Sequence, residues 1–256
     1  MDKNNNNLSA LLITYNEIDN IDDVIATVSF ASEIIIVDSY STDGTVEAIH
    51  KYKNVKLLQH KFVNFSSQRN FALQQATNDW VLFMDADERI TEASKKEIVK
   101  VIQQPINIVA FAFKRVFYFK NKPLKYSGYQ NSKVFRLFNK KKARYNEEKF
   151  VHETLDVSGQ TKTLTHKLLH YSYTNDVDYK GKLLKYAQLR AKKLFKNKLK
   201  PNFYHFYIKP AYRFLSHYIV RLGFLDGSNG YKISKLNAFE VKQRYIELKK
   251  MYESNE

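Results

Sequence analysis

The chain has 256 residues, enough for one sizeable α/β core or that core with a small appendage. Its 44% apolar and 14% aromatic content exclude a disordered chain, and the absence of cysteine excludes disulfides and thiolate metal sites. A net charge of +16, from 42 basic and 26 acidic residues, calls for an anionic partner: nucleic acid, acidic headgroups or a phosphorylated substrate.

The N-terminus, Met1-Asp2-Lys3 followed by Asn4 to Asn7, lacks the apolar centre of a signal peptide. No apolar run approaches the roughly 20 residues that span a bilayer. The expectation is a cytoplasmic protein, soluble or held at a membrane surface.

The first half alternates strand and helix. Leu8 to Thr14 and Ile34 to Asp38 are short β-branched runs suited to buried parallel strands, and Ile18 to Phe30 between them has helical spacing. Ser41-Thr42-Asp43-Gly44 offers caps for a helix to about Tyr52. Val55 to Gln59 predicts a third strand, Ser66 a cap for a helix to about Ala76, and Trp80 to Asp85 a fourth strand. Such alternation implies a parallel, doubly wound sheet. Val109 to Phe119 and Lys133 to Phe138 predict longer strands of mixed or antiparallel pairing. From about Asp178 the chain reads as helical and basic, with nine basic residues and no acidic one between Lys180 and Lys200. Pro210 is expected in the first turn of a helix that carries Phe214, Leu215, Tyr218, Ile219 and Leu222 at helical spacing. These aromatic and basic residues suit either a bilayer interface or a solvated face over the sheet.

The sharpest local feature is Asp85-Ala86-Asp87-Glu88, directly after a buried strand. Strand periodicity puts Asp85 and Asp87 on one face, about 6–7 Å apart along the chain. At the carboxyl edge of an open α/β sheet, two hard oxygen donors suit Mg²⁺ or Mn²⁺ and, through it, a substrate diphosphate. The alternative is a solvated acidic turn that caps the helix from Thr91. Asp38 also ends a strand, where an acid can accept hydrogen bonds from a ribose or base, or merely begin a turn with Asp43-Gly44. Thr14, Tyr15 and Glu17 fall beside it. Arg69 is expected in the first turn of a helix, where backbone N–H groups favour an anion. No dinucleotide or Walker A glycine pattern is present.

In combination, ITYNE (Ile13 to Glu17), IIIVDSYSTDGT (Ile34 to Thr45), SQRNFAL (Ser67 to Leu73) and DWVLFMDADE (Asp79 to Glu88) resemble the family 2 inverting glycosyltransferases of GT-A fold. KVFRLF (Lys133 to Phe138), VHE (Val151 to Glu153), LLHYSY (Leu168 to Tyr173) and GFLDG (Gly223 to Gly227) narrow the resemblance to lipopolysaccharide-core β-glycosyltransferases, including the core glucosyltransferase group. The resemblance implies a Rossmann-like, mostly parallel sheet with helices on both faces over residues 1–177. Residues 178–256 would be a basic helical region for acceptor or membrane. It implies transfer of a hexose, glucose by default, from a UDP-sugar to a lipopolysaccharide-core or other lipid-linked glycan at the cytoplasmic membrane face.

By the same resemblance, Asp38 binds the nucleoside with Thr14, Tyr15 and Glu17 around it, Asp85 contacts ribose or nucleotide, and Arg69 supports the phosphates. Asp87 would hold Mg²⁺ or Mn²⁺, with His170 as a further ligand or else a packed histidine. Glu153 is the expected base, with His152 and Asp156 as alternatives. A polyprenyl carrier or a protein is an alternative acceptor. A nucleic-acid-binding module is an alternative function, opposed by the lack of any such signature and by the acidic cluster it leaves unexplained.

Overall fold

The computed structural model describes residues 6–104, 107–129, 132–146, 155–173 and 176–254. The chain forms two compact units, one of residues 1–115 and 133–170, the other of residues 116–132 and 171–256. The second unit thus takes in an excursion from the middle of the chain as well as the helical tail expected from residue 178.

The first unit is built on β1 (Leu8–Thr14), α1 (Ile18–Val28), β2 (Glu33–Asp38), α2 (Thr45–His50), β3 (Val55–Gln59), α3 (Phe65–Gln75) and β4 (Trp80–Asp85). After these come β5 (Glu88–Arg89), α4 (Glu92–Gln103), β6 (Ile108–Phe119) and the short β7 (Lys122–Leu124). The strands continue with β8 (Lys133–Asn139), β9 (Ala143–Tyr145), β10 (Leu155–Val157), β11 (Gln160–Thr163) and β12 (Leu168–Tyr173). Sheet order runs β3-β2-β1-β4-β8-β6. The first four strands are parallel, and β8 runs antiparallel to both β4 and β6.

Strand alternation divides the core between the two faces of this sheet. Leu8, Ala10, Leu12, Ile34, Ile36, Leu82 and Met84 face α1, α2 and α4, whereas Leu11, Ile35, Val37, Val81 and Phe83 face α3. Because both faces are covered, the strands read as unbroken apolar runs.

Two local expectations are corrected. The cap of α3 is Asn64, whose side chain accepts from Ser67 N at 2.8 Å, while Ser66 is buried in the first turn. Thr91, not an aspartate, caps α4 by accepting from Ser94 N. Pro210 falls in the first turn of the helix Lys209–Leu215 as expected, and a π-helical segment, Tyr204–Ile208, leads into it. Proline has no N–H to give. The preceding residue, Lys209, donates to Tyr204 five residues back, so the wider register falls just before the proline.

The second unit packs α5 (Asp176–Lys196) and α6 (Lys209–Leu215) on α7 (Gly227–Glu253). Phe117, Phe119, Leu124, Tyr179, Leu183 and Ile233 form one core and Ala191, Val241, Tyr245 and Leu248 another. Two of its glycines meet closely: a Cβ on Gly230 would lie 1.8 Å from the carbonyl oxygen of Gly223. Gly230→Ala is therefore expected to lower stability by at least about 2 kcal/mol, the scale of overpacking against backbone that must shift. Gly181→Ala, on α5 with nothing within 4 Å of its Cβ, is expected to gain up to about 1 kcal/mol of helix propensity. Urea midpoints of the two variants should move in opposite directions.

Candidate active site

The site grows from the carboxyl ends of the parallel strands. Thr14 pairs in register with Asp38 on one side of β1, and Ile13 with Asp85 on the other, so the two aspartates flank the end of the central strand. Asp38 is fully buried yet well satisfied. Its carboxylate accepts from the Thr14 hydroxyl at 3.0 Å, from Ser41 N at 2.8 Å and from the Ser41 hydroxyl at 2.5 Å. Asp43 ties the loop to the starts of α1 and α2, accepting from Ile18 N, Thr45 N and the Thr45 hydroxyl. Glu17 donates its backbone N–H to the Thr45 hydroxyl, and Tyr15 projects from the rim with 61% of its surface exposed. Thr14, Tyr15, Glu17 and Asp38 are thus brought to one corner of the sheet.

The second corner is a turn. The chain bends immediately after Asp85, so Asp85 and Asp87 do not share a strand face as periodicity predicts. Asp85 turns inward to Arg69, whose Nη2 donates to Oδ1 at 2.8 Å, and to Arg136. Glu88 is wholly buried and paired with Arg136, Nε to Oε2 at 2.8 Å and Nη2 to Oε1 at 2.9 Å. Arg115 stands 3.9 Å from the same Oε1. Arg89 ties the turn from behind, donating to the Ala86 carbonyl at 2.6 Å and to Asn20 of α1. With its neighbours fixed, the apex presents Asp87, whose Oδ2 lies 3.2 Å from His170 Nε2. The histidine reaches it because β12 pairs antiparallel with β5, setting His170 opposite Glu88.

This buried cluster sets its own charge states. Burial pushes the Asp85 carboxyl up, but Arg136, Arg69 and His170 outweigh it and hold the group well below the usual carboxylate range. For Glu88 burial prevails over Arg136, aided by the Asp85 charge, and its pKa is raised. Burial likewise works against the charge of Arg136, yet Asp85 and Glu88 raise its pKa further, keeping it cationic. The acidic segment is therefore no solvated turn.

The SQRNFAL segment acts as a fastener. Gln68 bonds His60 and the Ser39 hydroxyl, joining the ends of β3 and β2. Arg69 has its guanidinium carbon 5.1 Å from the ring centres of both Phe83 and Tyr145. Asn70 exchanges two hydrogen bonds with the Tyr145 backbone on β9. Arg69 thus meets Asp85 from the second turn of α3, where a side-chain charge rather than a backbone N–H does the work.

Asp87 and His170 fit a divalent cation in donor chemistry, one carboxylate oxygen and one imidazole nitrogen converging at a partly exposed apex. Among the described residues no third histidine or carboxylate joins them. Two protein ligands match a hard cation that keeps water and substrate phosphate oxygens as its remaining partners. His152 and Glu153, the expected base and its alternative, lie outside the described residues. Asp156 sits exposed on β10 and accepts from Asn146 at 2.8 Å.

Sequence reading missed Arg136, Arg115 and Arg89, and gave Glu88 no role of its own. The available signal was charge out of place: Arg136 stands between Phe135 and Leu137, inside the run Val134 to Phe138 that is otherwise apolar, where a buried charge demands a partner.

A parallel sheet with acidic residues at its switch-point edge defines a nucleotide-handling α/β enzyme. The family model of "Glycosyl transferase family 2" matches residues 9–169, and the chain belongs to that family. It is a glycosyltransferase of GT-A fold. It is 27% identical to the lipopolysaccharide core biosynthesis glycosyltransferase LpsC of Rhizobium meliloti, over 93% of each chain. It is 29% identical to an uncharacterized glycosyltransferase of Rickettsia bellii, over 96% of this chain and 86% of the relative. Among solved structures, the mannosyltransferase PcManGT of Pyrobaculum calidifontis, in complex with GDP-Man and Mn²⁺, superposes with a TM-score of 0.56 at 14% identity, covering 94% of this chain and 86% of that one. This last likeness speaks for the fold alone.

Proposed function

We propose that the protein transfers a hexose, glucose by default, from a UDP-sugar to a lipopolysaccharide-core or other lipid-linked glycan, with inversion, at the cytoplasmic face of a membrane. The observation that carries the donor half is the pair of acidic corners flanking β1: Asp38 with Thr14, Tyr15 and Glu17 on one side, the Asp85–Glu88 turn on the other. Along one sheet edge they offer a nucleoside site and a diphosphate site. The lipopolysaccharide-core relative supports the acceptor half.

In this reading Asp38 accepts from the nucleoside and Tyr15 covers the base. Asp85 contacts the ribose or nucleotide with its remaining lone pairs, while Arg69 lends positive charge near the phosphates. Asp87 and His170 hold the cation, and a divalent cation there offsets the negative charge that gathers on the departing diphosphate. Glu153, or His152 in its place, takes the proton of the attacking acceptor hydroxyl, which approaches opposite the leaving group.

The test is calorimetric titration with UDP. Binding is expected with Mn²⁺ present and should weaken at least about tenfold in EDTA, the equivalent of ~1.4 kcal/mol. Asp38→Ala should abolish it under both conditions. A folded protein that ignores UDP with and without Mn²⁺ refutes the donor assignment.

A further inference from the structure

The second unit carries an apolar surface that the transfer reaction does not use. Between Phe203 and Leu225 every exposed residue except Arg221 is apolar or aromatic. Tyr204, Ile208, Tyr212, Leu215 and Ile219 recur at steps of three and four, one stripe along a continuous helical stretch. Tyr212 is 71% exposed and Val220 76%. Lys209 and Arg213 are half-buried, and Lys209 donates to the Tyr245 hydroxyl at 3.0 Å. Beyond the stripe, Leu222 takes a left-handed backbone (φ 57°), and the following turn leaves Phe224 and Leu225 exposed as well.

A stripe of this length is more than the scattered apolar residues of an ordinary surface and marks an interaction site. Charge decides the occupant. All nine basic residues between Lys180 and Lys200 are exposed, no acidic residue interrupts them, and Lys196, Lys198 and Lys200 directly precede the stripe. Arg221 stands at its far end. An anionic surface matches that arrangement, whereas a second copy would bring the same basic run and a net charge of +16 toward its like. Tyrosine favours the water–hydrocarbon boundary, and no helix among the described residues is long and apolar enough to cross a membrane. What remains is a helix lying in the plane of the interface, apolar side down and basic residues among the headgroups.

We infer that residues 203–225 dock the enzyme on an anionic lipid bilayer, with the Lys196–Lys200 segment supplying the electrostatic contact. The inference rests on the reading that the acceptor is lipid-linked, and it names the surface that meets the lipid.

The test is sedimentation of the full chain with vesicles of phosphatidylcholine alone or mixed with phosphatidylglycerol. Wild type should pellet with the mixed vesicles and much less with phosphatidylcholine alone. Leu215→Ser/Ile219→Ser should weaken binding about tenfold or more, since two apolar anchors return to water. Its thermal unfolding and its UDP titration should match wild type, which separates lost docking from lost fold or lost donor site. Absence of binding to the mixed vesicles, or binding unchanged in the double variant, overturns the inference. So does a wild-type dimer in sedimentation velocity that the double variant abolishes, because the stripe is then covered by a second copy. UDP binding that persists in any of these cases leaves the donor assignment standing.

Discussion

Arg136→Met is expected to destabilise the protein by about 3–5 kcal/mol, the scale seen when a buried ion pair loses one partner. Glu88 has no exposed side-chain surface, and Arg136 is its closest counter-charge, with Arg115 a full 3.9 Å away. Asp85 keeps Arg69, so the greater part of the loss should come from Glu88. A double-mutant cycle checks this. Arg136→Met/Glu88→Gln removes the orphaned charge along with the guanidinium and should recover more than about 1 kcal/mol over the sum of the single changes, read from denaturant midpoints. Arg136→Lys should fall between, because one ammonium cannot make the paired contacts that the planar guanidinium makes to two carboxylates. An Arg136→Met protein as stable as wild type would mean that Glu88 is held neutral, and the account of the turn would fail with it. UDP affinity should fall in step, since the carboxylate of Asp85 and the apex beside it are positioned by the same arginine.

Much of this region was legible in the sequence. Apolar runs announce parallel strands covered on both faces, and β1, β2 and β4 fall where those runs lie, with the more polar β3 beside them. Since acids at strand ends sit at the ligand-binding edge, Asp38 and Asp85 followed from the strand assignment. Two things did not. The bend after Asp85 depends on Arg89 and Arg136, which arrive from a two-residue strand and from a strand some fifty positions on, and local periodicity carries no trace of either. The cap of α3 moved to Asn64 because Asn and Ser compete on nearly equal terms as N-caps, and Ser66 is taken into the core. Arginine in an apolar run is the one missed signal that sequence did contain.

The catalytic prediction turns on Asp87. Asn is nearly isosteric with Asp and can still meet His170, so Asp87→Asn removes charge with little change of shape. The turn is fixed by Arg136 on Glu88 and Arg89 on the Ala86 carbonyl, and the Asp87 side chain is 22% exposed. Stability should therefore change by no more than about 0.5 kcal/mol. Turnover of a UDP-sugar should drop about 10²- to 10³-fold, because a cation's stabilisation of the leaving diphosphate is worth several kcal/mol in the transition state. His170→Ala, which leaves the carboxylate in place, should cost less in turnover and raise the Mn²⁺ concentration needed for half-maximal rate by about tenfold or more. The ordering of the two variants is the diagnostic feature. Equal losses at every Mn²⁺ concentration would make the pair a structural contact. Turnover that survives Asp87→Asn would remove Asp87 from the reaction altogether, leaving Asp85 and Asp38 to bind a nucleotide whose diphosphate is neutralised by the arginines alone.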